Sequence, residues 1–169
     1  PGAMDAEGLT PDALDRAGAQ GVKAAYVQPL QNPTARLMGM GRRRDLAEIA
    51  RRRSLMLIED DLYGAFARPA AHPPLAALAP ERTLYISGLS KTVAPGLRLG
   101  FLSTPPGEVF ERCLEGLRAV AFGSPALGAL VGEQWLQDGT AETIFEEVLG
   151  ETRRRSRRAL EVLGRRVEP

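Results

Sequence analysis

A lysine set among hydroxyls and followed by an arginine marks the segment Ser87-Gly88-Leu89-Ser90-Lys91-Thr92-Val93-Ala94-Pro95-Gly96-Leu97-Arg98-Leu99-Gly100. An amine of this kind attacks a carbonyl carbon, while hydroxyls and a guanidinium suit a phosphate, the guanidinium through two donors at once. Lys91, Ser90 and Arg98 together therefore fit a phosphorylated carbonyl compound. Pyridoxal 5'-phosphate is one: its aldehyde condenses with a lysine, its phosphate takes such donors, and its ring nitrogen takes a carboxylate. Asp60, in Ile58-Glu59-Asp60-Asp61-Leu62-Tyr63, is the carboxylate candidate. Its neighbour Asp61 competes for the role, and the spacing to Tyr63 favours Asp60. Asn32, in Gln31-Asn32-Pro33-Thr34, follows an apolar run and can reach the same rim; the Asn-Pro dipeptide also admits a cis bond.

The elements that must position these groups alternate between strand-like and helix-like runs, the pattern of an α/β fold with a parallel sheet covered by helices. Residues 9 to 19 read as a helix with Thr10 as N-cap and Pro11 at its first position. Val22 to Val27 reads as a buried strand, Arg42 to Arg53 as a helix, and Leu55 to Ile58 as a strand that ends in Glu59-Asp60-Asp61. Pro69, Pro73, Pro74 and Pro80 mark a loop-rich crossing before strands at Thr83 to Ser87 and Leu97 to Leu102. Helices are expected at about 106 to 121, 125 to 138 and 140 to 164, the last long enough to bridge two bodies. Asp60 thus stands at the C-terminal end of a strand, where α/β sheets place their ligands. Four parallel strands need further neighbours and a covered edge, so the chain is expected to be part of a larger domain.

Composition narrows the classes. Over 169 residues, 44% hydrophobic and 25% charged is ordinary globular composition, which excludes wholesale disorder. Lys+Arg 22 against Asp+Glu 21 leaves a net charge of +1, too balanced to announce a nucleic-acid or anionic-membrane partner. One cysteine, Cys113, and one histidine, His72, exclude an internal disulfide and a histidine-rich metal site and suit a reducing setting. No apolar run approaches the roughly 20 residues that cross a bilayer, and the opening residues lack signal-peptide character, so a cytoplasmic protein is expected.

Three ordered motifs carry a resemblance: Tyr-Val-Gln-Pro-Leu-Gln-Asn-Pro-Thr (26 to 34), Ile-Glu-Asp-Asp-Leu-Tyr (58 to 63) and Ser-Lys-Thr-Val-Ala-Pro-Gly-Leu-Arg-Leu-Gly (90 to 100). In order and spacing the chain resembles the fold-type I pyridoxal-phosphate enzymes of aminotransferase class I/II. The likeness is nearest to the aminotransferase-like domain of GntR/MocR-type transcription regulators and to aminoadipate or kynurenine aminotransferases. The resemblance implies a three-layer α/β/α fold, with residues 1–139 as the second half of the large cofactor-binding domain and residues 140–169 as a long helix leading toward a small domain. It implies that Lys91 forms the internal aldimine and shuttles the α-proton. It also implies that Asp60 pairs with the pyridine nitrogen, Tyr63 and Asn32 hydrogen-bond the 3′ oxygen, and Ser90 and Arg98 hold the phosphate. The implied activity is transfer of an amino group between an amino acid and a 2-oxo acid by a homodimer. The alternative is a regulator's effector domain that binds the cofactor with little or no turnover and reaches DNA only through a separate winged-helix module. Two positions depart from the family pattern: Gly88 stands where Ser or Thr is usual before the lysine, with Ser87 as a possible substitute, and Ala35 replaces the glycine after Asn-Pro-Thr. The phosphate loop, the aromatic that stacks on the ring and the arginine that binds substrate carboxylate are expected outside this chain.

Other residues have plainer readings. The arginine runs at 42–44, 51–53 and 153–158 are interleaved with acids and lack aromatic company, so they read as solvated helix faces. His72 reads as exposed, Cys113 as a small core residue, and Trp135 with Leu127, Leu130, Val131 and Leu136 as ordinary helix packing.

Overall fold

The computed structural model describes residues 2–68, 70, 72–123 and 125–164. Pro69 and the last five residues of the expected 140–169 segment lie outside the described residues. Contacts divide the chain into two units, Pro1–Gly88 with Gly100–Ser124, and Leu89–Leu99 with Pro125–Pro169.

In the first unit, β1 (Met4–Asp5) and β2 (Gly8–Leu9) form a small antiparallel ribbon. Strands this short carry no periodicity, so the sequence does not announce them. Helix α1 (Pro11–Ala19) starts as expected, with Thr10 Oγ1 accepting from the Ala13 N–H at 3.3 Å. There follow β3 (Ala24–Val27), α2 (Met40–Arg52), β4 (Met56–Asp60), the short α3 (Leu75–Leu78), β5 (Thr83–Gly88), β6 (Gly100–Ser103) and α4 (Glu108–Ala121). The main sheet runs β3-β4-β5-β6; its first three strands are parallel, and the fold is α/β.

One strand departs from expectation. Instead of a parallel strand over Leu97 to Leu102, β6 begins at Gly100 and pairs antiparallel with β5, Gly88 opposite Gly100. A parallel return needs a crossover of about a dozen residues or more, usually helical, and the segment 89–99 holds only a 3₁₀ turn at Pro95–Leu97. Arg98 is left-handed (φ 52, ψ 30), which stops an extended strand there.

The core explains which side the helices take. Val27 and Leu57 pack with Leu14 of α1, Leu46, Ile49 and Ala50 of α2, and Leu75 of α3. Each leucine buried this way contributes about 1.5–3 kcal/mol, which docks α1 to α3 as one layer on the sheet. Side chains alternate along strands, so Tyr26, Ile58, Asp60, Ile86 and Leu102 share the opposite face. That face is open among the described residues: Tyr26 is 58% and Leu102 51% exposed.

The arginine run at 42–44 is not a uniformly solvated face. Arg43 is buried, donating from Nε to the Met38 carbonyl (3.1 Å) and from Nη1 to the Pro73 carbonyl (3.1 Å), 3.8 Å from the buried Glu59 carboxylate. Burial pushes the Glu59 carboxyl up from its ordinary value and the Arg43 guanidinium down. Arg42 is largely covered too, donating to Asp5 and to the Leu9 carbonyl. Arg51, Arg52 and Arg53 do lie outward, in ion pairs with Glu81 and Asp15. His72 is exposed, as read from sequence. Cys113 is half-buried on α4, a helix with no buried residue, and so is not a core residue.

The second unit contains the 89–99 loop, α5 (Ala126–Gln137) and α6 (Thr140–Leu163). Here Leu127, Leu130 and Leu136 are exposed; the buried positions of α5 are Gly128 and Gly132, and Trp135 is half-buried. The reason is close approach: a Cβ on Gly128 would lie 2.1 Å from the Leu97 carbonyl oxygen, and one on Gly132 2.6 Å from Leu99 Cδ2. On α6, Ala141, Phe145 and Leu149 form the buried stripe, and the arginines from 153 to 158 are exposed, Arg155 and Arg158 pairing with Glu151 and Glu161.

Candidate active site

In the first unit the candidate residues gather at the C-terminal ends of β3 and β4. Asp60 is the last residue of β4 and half-buried. Its Oδ1 accepts from the Leu62 N–H at 3.2 Å, and its Oδ2 accepts from Gln28 Nε2 at 3.2 Å and from the Tyr26 hydroxyl. Burial first, and then the Asp60 carboxylate, push the Tyr26 phenol up to about 12, so it stays a proton donor near neutrality. Sequence pattern alone does not mark Tyr26 and Gln28 as site residues. Their signal is the alternation Tyr26-x-Gln28, with Tyr26 in β3 and Gln28 just past its end, legible only once the strand register is known.

Asp61, the competing acid, takes a different setting. Its Oδ2 accepts from the Tyr85 hydroxyl at 2.8 Å, and burial pushes its carboxyl up, opposed by that hydrogen bond and by Arg43. Tyr85 is pushed up as well, by burial first and then by Asp61. Tyr63 lies in the turn after β4, half-buried, with its ring 6.3 Å from that of Phe66 at an interplanar angle of 47°. Asn32 is exposed in the loop after β3, where the Asn32–Pro33 bond is cis. That loop is closed by the Ala35 N–H donating to the Gln31 carbonyl (2.8 Å) and the Met38 N–H to the Pro29 carbonyl (2.8 Å). Ala35 is left-handed (φ 54), the conformation that explains why glycine suits its position.

In the second unit, Ser90, Lys91 and Arg98 share one loop. Val93 and Ala94 both donate backbone N–H groups to the Leu89 carbonyl, at 2.9 and 3.0 Å, and Leu89 donates to the Leu99 carbonyl at 3.1 Å, closing a turn around Lys91. Lys91 and Arg98 are exposed and Ser90 is half-buried. Arg98 holds its left-handed conformation without being glycine, a cost of about 1–2 kcal/mol of the sort retained at functional positions. Ser87, the possible stand-in for the hydroxyl absent at Gly88, alternates onto the face of Tyr85. No group of His, Cys, Asp and Glu among the described residues could hold a metal ion.

A carboxylate at a strand's C-terminal end, and a lysine and arginine in the turn that follows β5, are a chemistry shared with a known family. The model of aminotransferase class I and II matches residues 3–164. The chain belongs to that family. A relative in Bacillus subtilis (strain 168), the uncharacterized HTH-type transcriptional regulator YdfD, is 32% identical over 164 residues, covering 95% of this chain and 34% of the regulator. An archaeal alanine:glyoxylate aminotransferase structure superposes with a TM-score of 0.81 at 31% identity, covering 98% of this chain and 44% of that one. LysN, the alpha-aminoadipate aminotransferase of Thermus thermophilus complexed with N-(5'-phosphopyridoxyl)-L-leucine, gives a TM-score of 0.83 at 28% identity, with coverages of 97% and 43%. The chain thus spans about a third of the length of the curated relative YdfD and about two fifths of the length of the solved structures it matches. No helix among its described residues is long and apolar enough to cross a membrane.

Proposed function

We propose that the chain is the pyridoxal 5'-phosphate-binding part of an aminotransferase-like protein that moves an amino group between an amino acid and a 2-oxo acid. One observation carries the reading: Asp60, on the open sheet face, has its carboxylate oriented by three donors, whereas Asp61 is engaged by Tyr85. An acceptor fixed in this way fits the protonated ring nitrogen of the cofactor, which when bound supplies an electron sink for the substrate's α-carbon. Lys91 Nζ supplies the covalent attachment point and then carries the proton that leaves the α-carbon. Ser90 and Arg98 hold the phosphate, and Asn32 and Tyr63 bond the ring oxygen. Residues 1–139 are the second half of the large domain in this reading, and 140–169 lead to a small domain. The protein acts as a homodimer in a reducing cytoplasm, in keeping with its lone Cys113.

The regulator relative favours a second reading, an effector domain that binds the cofactor and an amino acid, turns over little, and reaches DNA through another module. Cofactor fixation tests the site common to both readings, and turnover separates them. Borohydride treatment of the full-length protein should fix the cofactor onto Lys91, and Lys91→Ala should abolish fixation; labelling of another lysine would refute the site. Asp60→Asn should weaken cofactor binding roughly a hundredfold or more, the scale of about 3–5 kcal/mol for stranding a charge without its partner. Amino-group transfer across a panel of amino acids and 2-oxo acids marks the enzyme; cofactor uptake without transfer marks the regulator.

A further inference from the structure

We infer that Tyr26 and Gln28 are positioning residues that occupy one oxygen of the Asp60 carboxylate and so present the other to the ring nitrogen of the bound cofactor, an inference that rests on the reading above. The sheet dictates the arrangement. β3 and β4 are parallel, with Tyr26 beside Ile58 and Val27 beside Glu59. Carrying that register one residue further sets Gln28 beside Asp60, and Tyr26 on the same face one diagonal step back, a distance that a long aromatic side chain spans. Both donors meet at Oδ2, while Oδ1 takes only the Leu62 N–H among the described residues. A carboxylate offers about four acceptor sites, two on each oxygen, so the site left open lies on Oδ1. The phenol's raised proton affinity keeps Tyr26 in its donor form across the neutral range. Tyr26 is itself 58% exposed, so loss of its hydroxyl creates no cavity and leaves the core intact.

The test uses the full-length protein and two probes, pyridoxal 5'-phosphate and its deaza analogue, in which carbon replaces the ring nitrogen while aldehyde and phosphate remain. Equilibrium binding of each is read from the absorbance of the bound compound. Wild type should prefer the natural cofactor. Tyr26→Phe should weaken that cofactor about tenfold or more, the worth of a hydrogen bond to a charged group, and leave the analogue within about twofold. Gln28→Ala should act in the same direction with a smaller loss. In an Asp60→Asn background Tyr26→Phe should cost nothing further, because its effect runs through Asp60. Equal losses for both probes, no loss for either, or a full additional loss in the Asp60→Asn background would overturn the inference while leaving the cofactor reading standing. If wild type takes up neither probe on Lys91, or binds both equally, the cofactor reading fails and the inference with it.

Discussion

Replacing Gly128 by alanine should destabilise the loop that carries Lys91, against the ordinary rule for helices. In a helix interior Gly→Ala normally gains about 1 kcal/mol, because alanine loses less backbone freedom on folding. At Gly128 the new methyl would sit 2.1 Å from the Leu97 carbonyl oxygen and 3.1 Å from its carbonyl carbon, and backbone cannot swing aside as a side-chain tip can. Overpacking of this kind costs about 1–3 kcal/mol, and contact with rigid backbone puts Gly128 at the upper end, so the net change should be a loss of about 2 kcal/mol. Gly132→Ala meets Leu99 Cδ2 at 2.6 Å and Leu89 Cδ1 at 3.3 Å, both flexible termini, and should come out near zero. Gly150→Ala, on α6 with nothing within 4 Å of the added methyl, should stabilise by about 1 kcal/mol. Urea unfolding of the three variants, followed by helical circular dichroism, reads the midpoints. Equal stabilisation of all three would show that α5 does not brace the loop, and the close approach described for Leu97 would be wrong.

Other outcomes follow from the charged groups. Arg98→Gly should raise stability by about 1 kcal/mol by releasing left-handed strain, yet weaken pyridoxal 5'-phosphate far more than unphosphorylated pyridoxal; an equal effect on both ligands would remove Arg98 from the phosphate. Asp61→Asn should become progressively more stable relative to wild type as pH rises. Burial raises the folded-state value of Asp61 above its unfolded one. The folded state therefore holds the extra proton, and wild-type stability falls as pH climbs from the ordinary carboxylate value through the raised one. Thermal melts of both proteins across that interval check it, and a constant difference between them would refute the burial argument.

Most of the scaffold was legible in the sequence because it is written in apolar runs. The apolar runs at 55–58 and 83–87 fall largely in the parallel strands β4 and β5, and Leu46, Ile49 and Ala50 mark the inner face of α2. The direction of β6 was not legible, since Leu97 to Leu102 is equally apolar whichever way it runs; the short connection and the backbone at Arg98 decide it. Arg43 was hidden by its neighbours, because burial of one arginine in a run of three depends on carbonyls supplied from Met38 and Pro73. The packing face of α5 is hidden in the sequence for a similar reason: absence of side chains at Gly128 and Gly132, not presence of leucines, admits the neighbouring loop. At the candidate site Asp60 stood out by type and spacing, whereas Tyr26 and Gln28 needed the register of two strands far apart in sequence.

Glu59 holds more than a helix end. Its two carboxylate oxygens receive the Leu75 and Ala76 N–H groups at 2.8 and 2.9 Å, so the chain that departs after Asp61 is fastened on its return to the residue just before Asp60. A clasp at the neck of an excursion isolates whatever lies beyond it. Insertions ahead of Pro73, whose carbonyl must stay on Arg43, should therefore leave the neighbouring acid in place.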